Sequence, residues 1–177
     1  MLGLGQSLTH DAVTEGLISL GGFTYLTASD FNDDENVQVV AGFGSQAMDD
    51  LLGFDGDNNA SGDKQGGTLT LTVSRLDGSG DVVGGATSSG TVHAYRASSV
   101  AGHVPFGLVF ISAADSSNLN VNTFTLEGSS LLNLSTFGGT DITGSATSSN
   151  YRFTLTVTGD GYTLESMVSA NISLDKP

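Results

Sequence analysis

One acidic stretch of the chain carries side-chain oxygens on alternate residues, namely Asp55, Asp57, Asn59, Ser61 and Asp63. Carboxylate and amide oxygens in this pattern open calcium-binding loops. The EF-hand form of such a loop needs glycine at its sixth position and a bidentate glutamate at its twelfth. Those positions hold Ala60 and Gly66 here. Two interpretations stay open, a solvated acidic loop and a weak calcium site of another type, and no other metal or cofactor is expected.

A second acidic cluster precedes this stretch and consists of Asp30, Asp33, Asp34 and Glu35. Four carboxylates in six residues form either a solvated turn or a face for a basic partner. A cation site is again the alternative to a solvated turn. We expect the turn or the docking face rather than a metal site.

The residue types of a nucleophilic triad also occur, in Ser7, His10 and Asp11, with His93 and His103 elsewhere. Such catalysis needs the groups within hydrogen-bond reach of one another. No serine stands in a Gly-x-Ser-x-Gly turn, and no two histidines have the i, i+4 spacing of a zinc-binding helix. The sequence therefore predicts no catalytic residues, and we expect the protein not to be an enzyme.

The charge of the chain limits its partners. The 177 residues include 19 Asp and Glu but only 5 Lys and Arg, which gives a net charge of -14. Nucleic-acid affinity depends on basic residues that neutralise phosphates, so direct nucleic-acid binding is not expected. No apolar run approaches the roughly 20 residues of a membrane-spanning helix, and we expect no membrane partner. Cysteine is absent, which excludes disulfides and thiolate chemistry.

The elements that must position these residues are mainly strands. Period-2 alternation bounded by Gly, Asn and Asp predicts eight of them, at residues 22–27, 36–41, 68–75, 91–95, 106–112, 121–126, 152–158 and 166–174. Turn signals stand at Asp77-Gly78, Gly84-Gly85, Gly138-Gly139 and Asp160-Gly161. Short strands with Gly-rich turns predict an all-β fold, an antiparallel β-sandwich or barrel of the jelly-roll or Ig-like kind.

Helix signals are few. Thr9 to Ile18 and Ser45 to Leu52 could each form one short helix. We expect an N-terminal arm over residues 1–20 followed by one β-sandwich domain over residues 21–177. Residues 78–89 match residues 138–149 in their Gly, Asp and Ala-Thr-Ser-Ser positions, and both chance agreement and duplication remain open.

The expected arm carries apolar residues that could be covered by a neighbouring subunit, namely Leu2, Leu4, Leu8, Val13, Leu17 and Ile18. Covering them would contribute a few kcal/mol at roughly 25 cal/mol per Å². The alternative is that they form the first strand of the domain itself.

An acidic β-domain without Cys or Trp that begins Met1-Leu-Gly-Leu-Gly-Gln-Ser-Leu8 resembles small structural proteins of tailed bacteriophages, including marine and cyanobacterial phages. The resemblance implies a virion structural protein, assembled in the host cytoplasm, whose partners are other virion proteins and further copies of itself. Its leading form is a capsid decoration or cement protein. The alternatives are a tail tube or fibre part and a secreted, calcium-dependent surface binding module.

Overall fold

The computed structural model describes residues 23–43, 63–64, 68–96, 108–115, 131–159, 162–163, 167–169 and 171–177. The strands are Phe23–Ala28 (β1), Asn36–Val37 (β2), Val39–Phe43 (β3), Asp63–Lys64 (β4), Thr68–Leu76 (β5), Val82–Arg96 (β6), Leu108–Ser112 (β7), Leu132–Asn133 (β8), Ser148–Gly159 (β9), Tyr162–Thr163 (β10), Met167–Val168 (β11) and Ile172–Asp175 (β12). A 3-10 turn covers Phe137–Gly139. These ranges contain no helix that is long and apolar enough to span a membrane. The all-β prediction is confirmed.

Ten of the strands form one antiparallel sheet. Its order is β1-β3-β7-β6-β5-β9, with β10, β11 and β12 along the free edge of β9 and β4 beside β6. Strands β2 and β8 pair separately. The two edges of the sheet approach each other at one corner, where the Phe31 N–H donates to the Asp175 carbonyl at 3.2 Å. The sheet therefore nearly closes into a barrel, as the sandwich-or-barrel prediction allows.

Period-2 alternation gives the sheet its core. Leu69, Leu71 and Val73 of β5 are fully buried, while the Thr and Ser residues between them are half-exposed. Leu71 pairs with Leu155 of β9, which is also buried. A one-residue slip would turn this apolar set outward, so the burial of one face fixes the register of the central strands.

Strand β6 is longer than the sequence predicts. It begins at Val82 instead of residue 91 and includes Gly84-Gly85, so the predicted turn at that pair is wrong. Gly85 has a φ of 76°, and the pairing with β5 shifts register at this point. The glycine pair forms a bulge within a continuing strand because the partner strand supplies hydrogen bonds on both sides of it.

The inner face of β6 is lined with small residues, which leaves room for a segment inside the curled sheet. Residues 131–147 fill that space and bury four apolar side chains, those of Leu132, Leu134, Phe137 and Ile142. The Phe137 ring lies over Gly90, where an added Cβ would come within 2.9 Å of it. The Ser88 hydroxyl donates to the Phe137 carbonyl. We name residues 131–147 the core segment.

Several connections start or finish at the same end of the sheet. Phe23 pairs with Phe43, and Gly42 pairs with Leu108. Arg96 pairs with both Val109 and Asp63. Residues 1–22, 44–62 and 97–107 therefore all attach at this end, which we name the loop end. The opposite end, where Leu76 pairs with Val82, is named the turn end.

Two turns at the turn end have the same construction. In residues 32–36 the Asn32 Oδ1 accepts from the N–H groups of Asp34 and Asn36, at 3.0 and 2.9 Å. In residues 77–81 the Oδ1 of Asp77 likewise accepts from Ser79 and Asp81, at 2.8 and 3.0 Å. The fourth residue of each turn has positive φ, 60° at Glu35 and 86° at Gly80. A side chain in that conformation costs roughly 1–2 kcal/mol, which glycine avoids.

The C-terminal strand follows β9 with two interruptions. Tyr162 pairs with Gly159, Met167 with Leu155 and Ile172 with Tyr151, so the pairing shifts by one residue at each break. An extra residue on one strand is a β-bulge, which bends the strand and increases its twist. β10, β11 and β12 therefore follow the free edge of β9 in three successive registers. The hairpin predicted around Asp160-Gly161 is confirmed by its flanking pairs, although both turn residues lie outside the described ranges.

The internal similarity does not correspond to a shared backbone conformation. Residues 78–89 enter β6 at Val82, whereas residues 138–149 reach a strand only at Ser148. The positive-φ glycines also fall at different positions in the two segments. Matching letters in these segments therefore describe different structures.

Candidate functional site

Most of the residues that the sequence singled out lie outside the described ranges. These are the arm residues Leu2, Leu4, Leu8, Val13, Leu17 and Ile18, the oxygen ligands Asp55, Asp57 and Asn59, and the triad types Ser7, His10, Asp11 and His103. Both candidate helices and the strand predicted at residues 121–126 also lie there. Asp63 is described only as the first residue of β4, where it pairs with Arg96. The arm and the calcium loop therefore remain predictions.

The acidic cluster at Asp30–Glu35 is described, and it forms a turn. Asn32 closes the turn with its side chain, and the Asn133 Nδ2 binds the Asp34 carbonyl at 2.8 Å. Asp33 and Asp34 are exposed to solvent. Within the described ranges, no three His, Cys, Asp or Glu side chains are grouped so that they could hold a metal ion. The described turn thus offers an acidic surface.

The basic side chains that the structure describes bind backbone carbonyls of turns and loops. Arg75 Nε donates to the Ile142 carbonyl at 3.0 Å, and Lys176 Nζ donates to the Gly144 carbonyl at 2.6 Å. Arg152 Nη2 lies 3.3 Å from the Gly80 carbonyl. These cations fasten the core segment and the 77–81 turn to the sheet. They are therefore occupied inside the fold.

Thr143 is the centre of a small polar cluster in the core segment. Its N–H and hydroxyl donate to Asp141 Oδ1 at 2.9 and 2.7 Å, and its carbonyl accepts from the Tyr151 hydroxyl at 2.9 Å. The bonds from Thr143 lower the pKa of Asp141, with smaller help from Lys176 and Arg75. Burial raises the pKa of Tyr151 above its ordinary value. Both ionisable groups hold backbone in place, so the cluster is structural.

His93 lies on β6 between the buried residues Val92 and Ala94 and is half-exposed. Its exposure differs from that of both neighbours, as the alternation of a strand requires. It pairs with Ser112 of β7. His93 is the one histidine inside the described ranges, so these ranges bring no second histidine beside it.

A shallow cleft of about 450 Å³ opens beside the core segment. Gly90, Leu131, Asn133 and Phe137 contribute to its wall, and no lining residue is charged. The Asn133 amide is already used, because its Nδ2 binds the Asp34 carbonyl and its Oδ1 accepts from the Ser135 N–H at 3.0 Å. Thr91 and Thr136 also line the cleft, so its wall combines hydroxyl and hydrophobic groups without a charged side chain.

A regular set of hydroxyl side chains lies on the outer face of β5, β6 and β9, exposed on β6 and half-exposed on β5 and β9. The members are Thr70, Thr72 and Ser74 of β5, Thr87, Ser89 and Thr91 of β6, and Thr154 and Thr156 of β9. They form rows across the strands, because Thr72 pairs with Ser89 on one side and with Thr154 on the other. We name this set the hydroxyl face.

Side-chain hydrogen bonds join β5 to β6 across the hydroxyl face. Thr72 Oγ1 and Ser89 Oγ lie 2.9 Å apart, as do Ser74 Oγ and Thr87 Oγ1. Arg152, which pairs with Ser74, is the one charged side chain in these rows. The sequence alone shows that Thr alternates with Leu along β5. It does not show that these Thr residues align with hydroxyl residues of β6 and β9, because the register depends on the partner strands.

Comparison with known proteins gives no relative. No family model matches the chain, and no similar curated protein or solved structure was found.

Proposed function

We propose that this protein is a structural component of a tailed-bacteriophage virion, with a capsid decoration or cement role as the leading form. In this proposal it acts through contacts and carries out no reaction. Its partners are other virion proteins and further copies of itself. The observation that carries the proposal is the loop end, where residues 1–22, 44–62 and 97–107 all attach.

A common attachment point gives the barrel a polarity that suits docking on a particle. The expected arm, which contains Leu4 and Leu8, would leave the domain at the same end as the acidic stretch that includes Asp55 to Asp63. Residues of the core segment fill the inside of the sheet, and the 32–36 and 77–81 turns lie at the other end. One end would then contact the shell while the other faces solvent.

The use of the basic residues supports a protein partner over a nucleic acid. Arg75, Arg152 and Lys176 bind carbonyls of the fold itself. The exposed turns carry carboxylates, among them Asp33, Asp34, Asp77 and Asp81. Such a surface repels phosphates and attracts basic patches on a protein.

Binding to particles that lack the chain tests this proposal. The purified protein should co-sediment with such particles and saturate them. Leu4→Asp and Leu8→Asp should weaken this binding, because each places a charge among the expected contact residues. Val82→Asp is the matched control, since Val82 is 48% exposed and lies at the turn end. Absence of co-sedimentation with capsids and with tails would refute the virion role, and binding to tails alone would favour the tail alternative.

A further inference from the structure

The hydroxyl face carries little charge in a strongly acidic chain. Its rows contain eight hydroxyl residues and Arg152, while the described carboxylates lie in turns, loops and strand ends. With a net charge of -14, two copies of this chain repel each other wherever carboxylates meet. The hydroxyl face is a described surface on which a second copy can approach without that cost.

Hydroxyl groups also make such a face complementary to itself. Each Ser or Thr hydroxyl has one donor and two acceptor lone pairs, so it can bond to an identical group. Carboxylate or ammonium faces instead need a partner of opposite charge. In a two-fold symmetric contact the same patch serves both subunits, and each row could donate to and accept from the other copy.

We propose that the hydroxyl face of β5, β6 and β9 binds the same face of a second copy of this chain. The inference deepens the self-association included in the proposed function and names its surface. Three strands about 4.8 Å apart, with rows about 6.8 Å apart, give a patch on the order of 300 Å². A stable dimer usually buries about 800 Å² on each partner. The contact is therefore weak for an isolated pair and is strengthened where many copies are held side by side.

Sedimentation equilibrium of the full chain up to about 1 mM tests the proposal. We expect the average mass to rise with concentration and to rise further with added salt, which screens the repulsion between the acidic copies. Thr72→Glu, at the centre of the face, should weaken association about tenfold or more, because it brings two like charges together. Thr27→Glu makes the same change at an exposed position of β1 and should weaken it much less.

Ser89→Glu provides a second variant if Thr72→Glu does not fold, because Ser89 is exposed and adjacent to Thr72 across the strands. A chain that stays monomeric at the highest concentration would overturn the inference. So would equal weakening by Thr27→Glu, or association that salt weakens. Particle binding is measured separately, so a monomer that still coats particles would refute the hydroxyl-face contact alone, whereas self-association without particle binding would refute the virion role alone.

Discussion

The hydroxyl of Ser169 accepts a hydrogen bond of 2.9 Å from the backbone N–H of Phe153. The Ser169 N–H in turn donates to the Phe153 carbonyl at 2.8 Å. These bonds lie at the second break in the C-terminal strand, between β11 and β12, where the register with β9 shifts. A side-chain oxygen thus replaces the carbonyl that the ladder would otherwise supply, and the buried Phe153 backbone stays paired.

Ser169→Ala should destabilise the fold by about 1–3 kcal/mol, because it leaves the buried Phe153 N–H without its acceptor. Denaturant unfolding of both proteins measures the difference. Ser173→Ala is the control, since Ser173 is exposed on β12 and its change should stay within about 0.5 kcal/mol. Equal effects of the two substitutions would show that the hydroxyl does not serve the bulge.

The two glycines of the 77–81 turn, Gly78 and Gly80, should respond differently to substitution by alanine. Gly80→Ala should cost roughly 1–2 kcal/mol, because Gly80 has a φ of 86°. Space is not the cause, since the nearest atom to an added Cβ would be Asn171 Nδ2 at 3.5 Å. Gly78→Ala should be neutral or slightly stabilising, because Gly78 does not have positive φ and nothing lies within 4 Å of an added Cβ. Thermal unfolding of both variants checks the order, and a larger loss at Gly78 would contradict it.

The sequence predicts the strands that have a strong local apolar pattern, either alternating or continuous. The pattern over residues 68–75 predicts β5, which covers Thr68–Leu76, and the pattern over residues 106–112 predicts β7, which covers Leu108–Ser112. In β5 the alternating apolar residues, Leu69 among them, are those buried in the structure, whereas in β7 the consecutive residues Val109, Phe110 and Ile111 are all buried. The local pattern and the tertiary burial agree in these strands, so the pattern alone is enough to predict them.

Prediction fails where a distant segment determines the conformation. Gly84-Gly85 has the composition of a turn, yet it lies within β6 because β5 pairs on both sides of it. The core segment has no strong periodicity, and its position depends on the room above Gly90. Alternate small residues at Ala86, Ser88 and Gly90 were the available signal, since a strand face without side-chain volume must be filled by something else.

The contact between Gly90 and Phe137 predicts an energetic coupling. Gly90→Val should destabilise by about 1–3 kcal/mol, because its side chain would overlap the Phe137 ring. Phe137→Leu should reduce the free energy of unfolding less in the Gly90→Val protein than in the native protein, since the smaller side chain makes room for valine. Gly84→Val in the same strand is the control, because an added Cβ there meets nothing within 4 Å. Denaturant unfolding of the double-mutant set measures the coupling, and strictly additive losses would exclude this contact as the cause.

The lowered pKa of Asp141 predicts that the folded protein loses stability in acid. Its pKa is lowered below the ordinary value of 3.8, chiefly by the Thr143 hydroxyl and then by the Thr143 N–H. The charged form is thus favoured in the folded state. Its stabilisation is fully present above the unfolded-state pKa and is lost as pH falls through the lower folded-state pKa. The affected window therefore lies below about pH 4.

Asp141→Asn keeps an acceptor oxygen and removes the charge, so it isolates this effect. The variant should be less stable than the native protein at neutral pH, and the gap should close as pH falls below 3.8. Thr143→Val should show part of the same pH dependence because it removes one donor to Asp141, whereas Thr140→Val makes the same change outside the donor pair and should not. Unfolding midpoints from neutral pH into acid measure the three gaps. A gap for Asp141→Asn that stays constant across the acid range would mean that the Thr143 bonds do not favour the carboxylate.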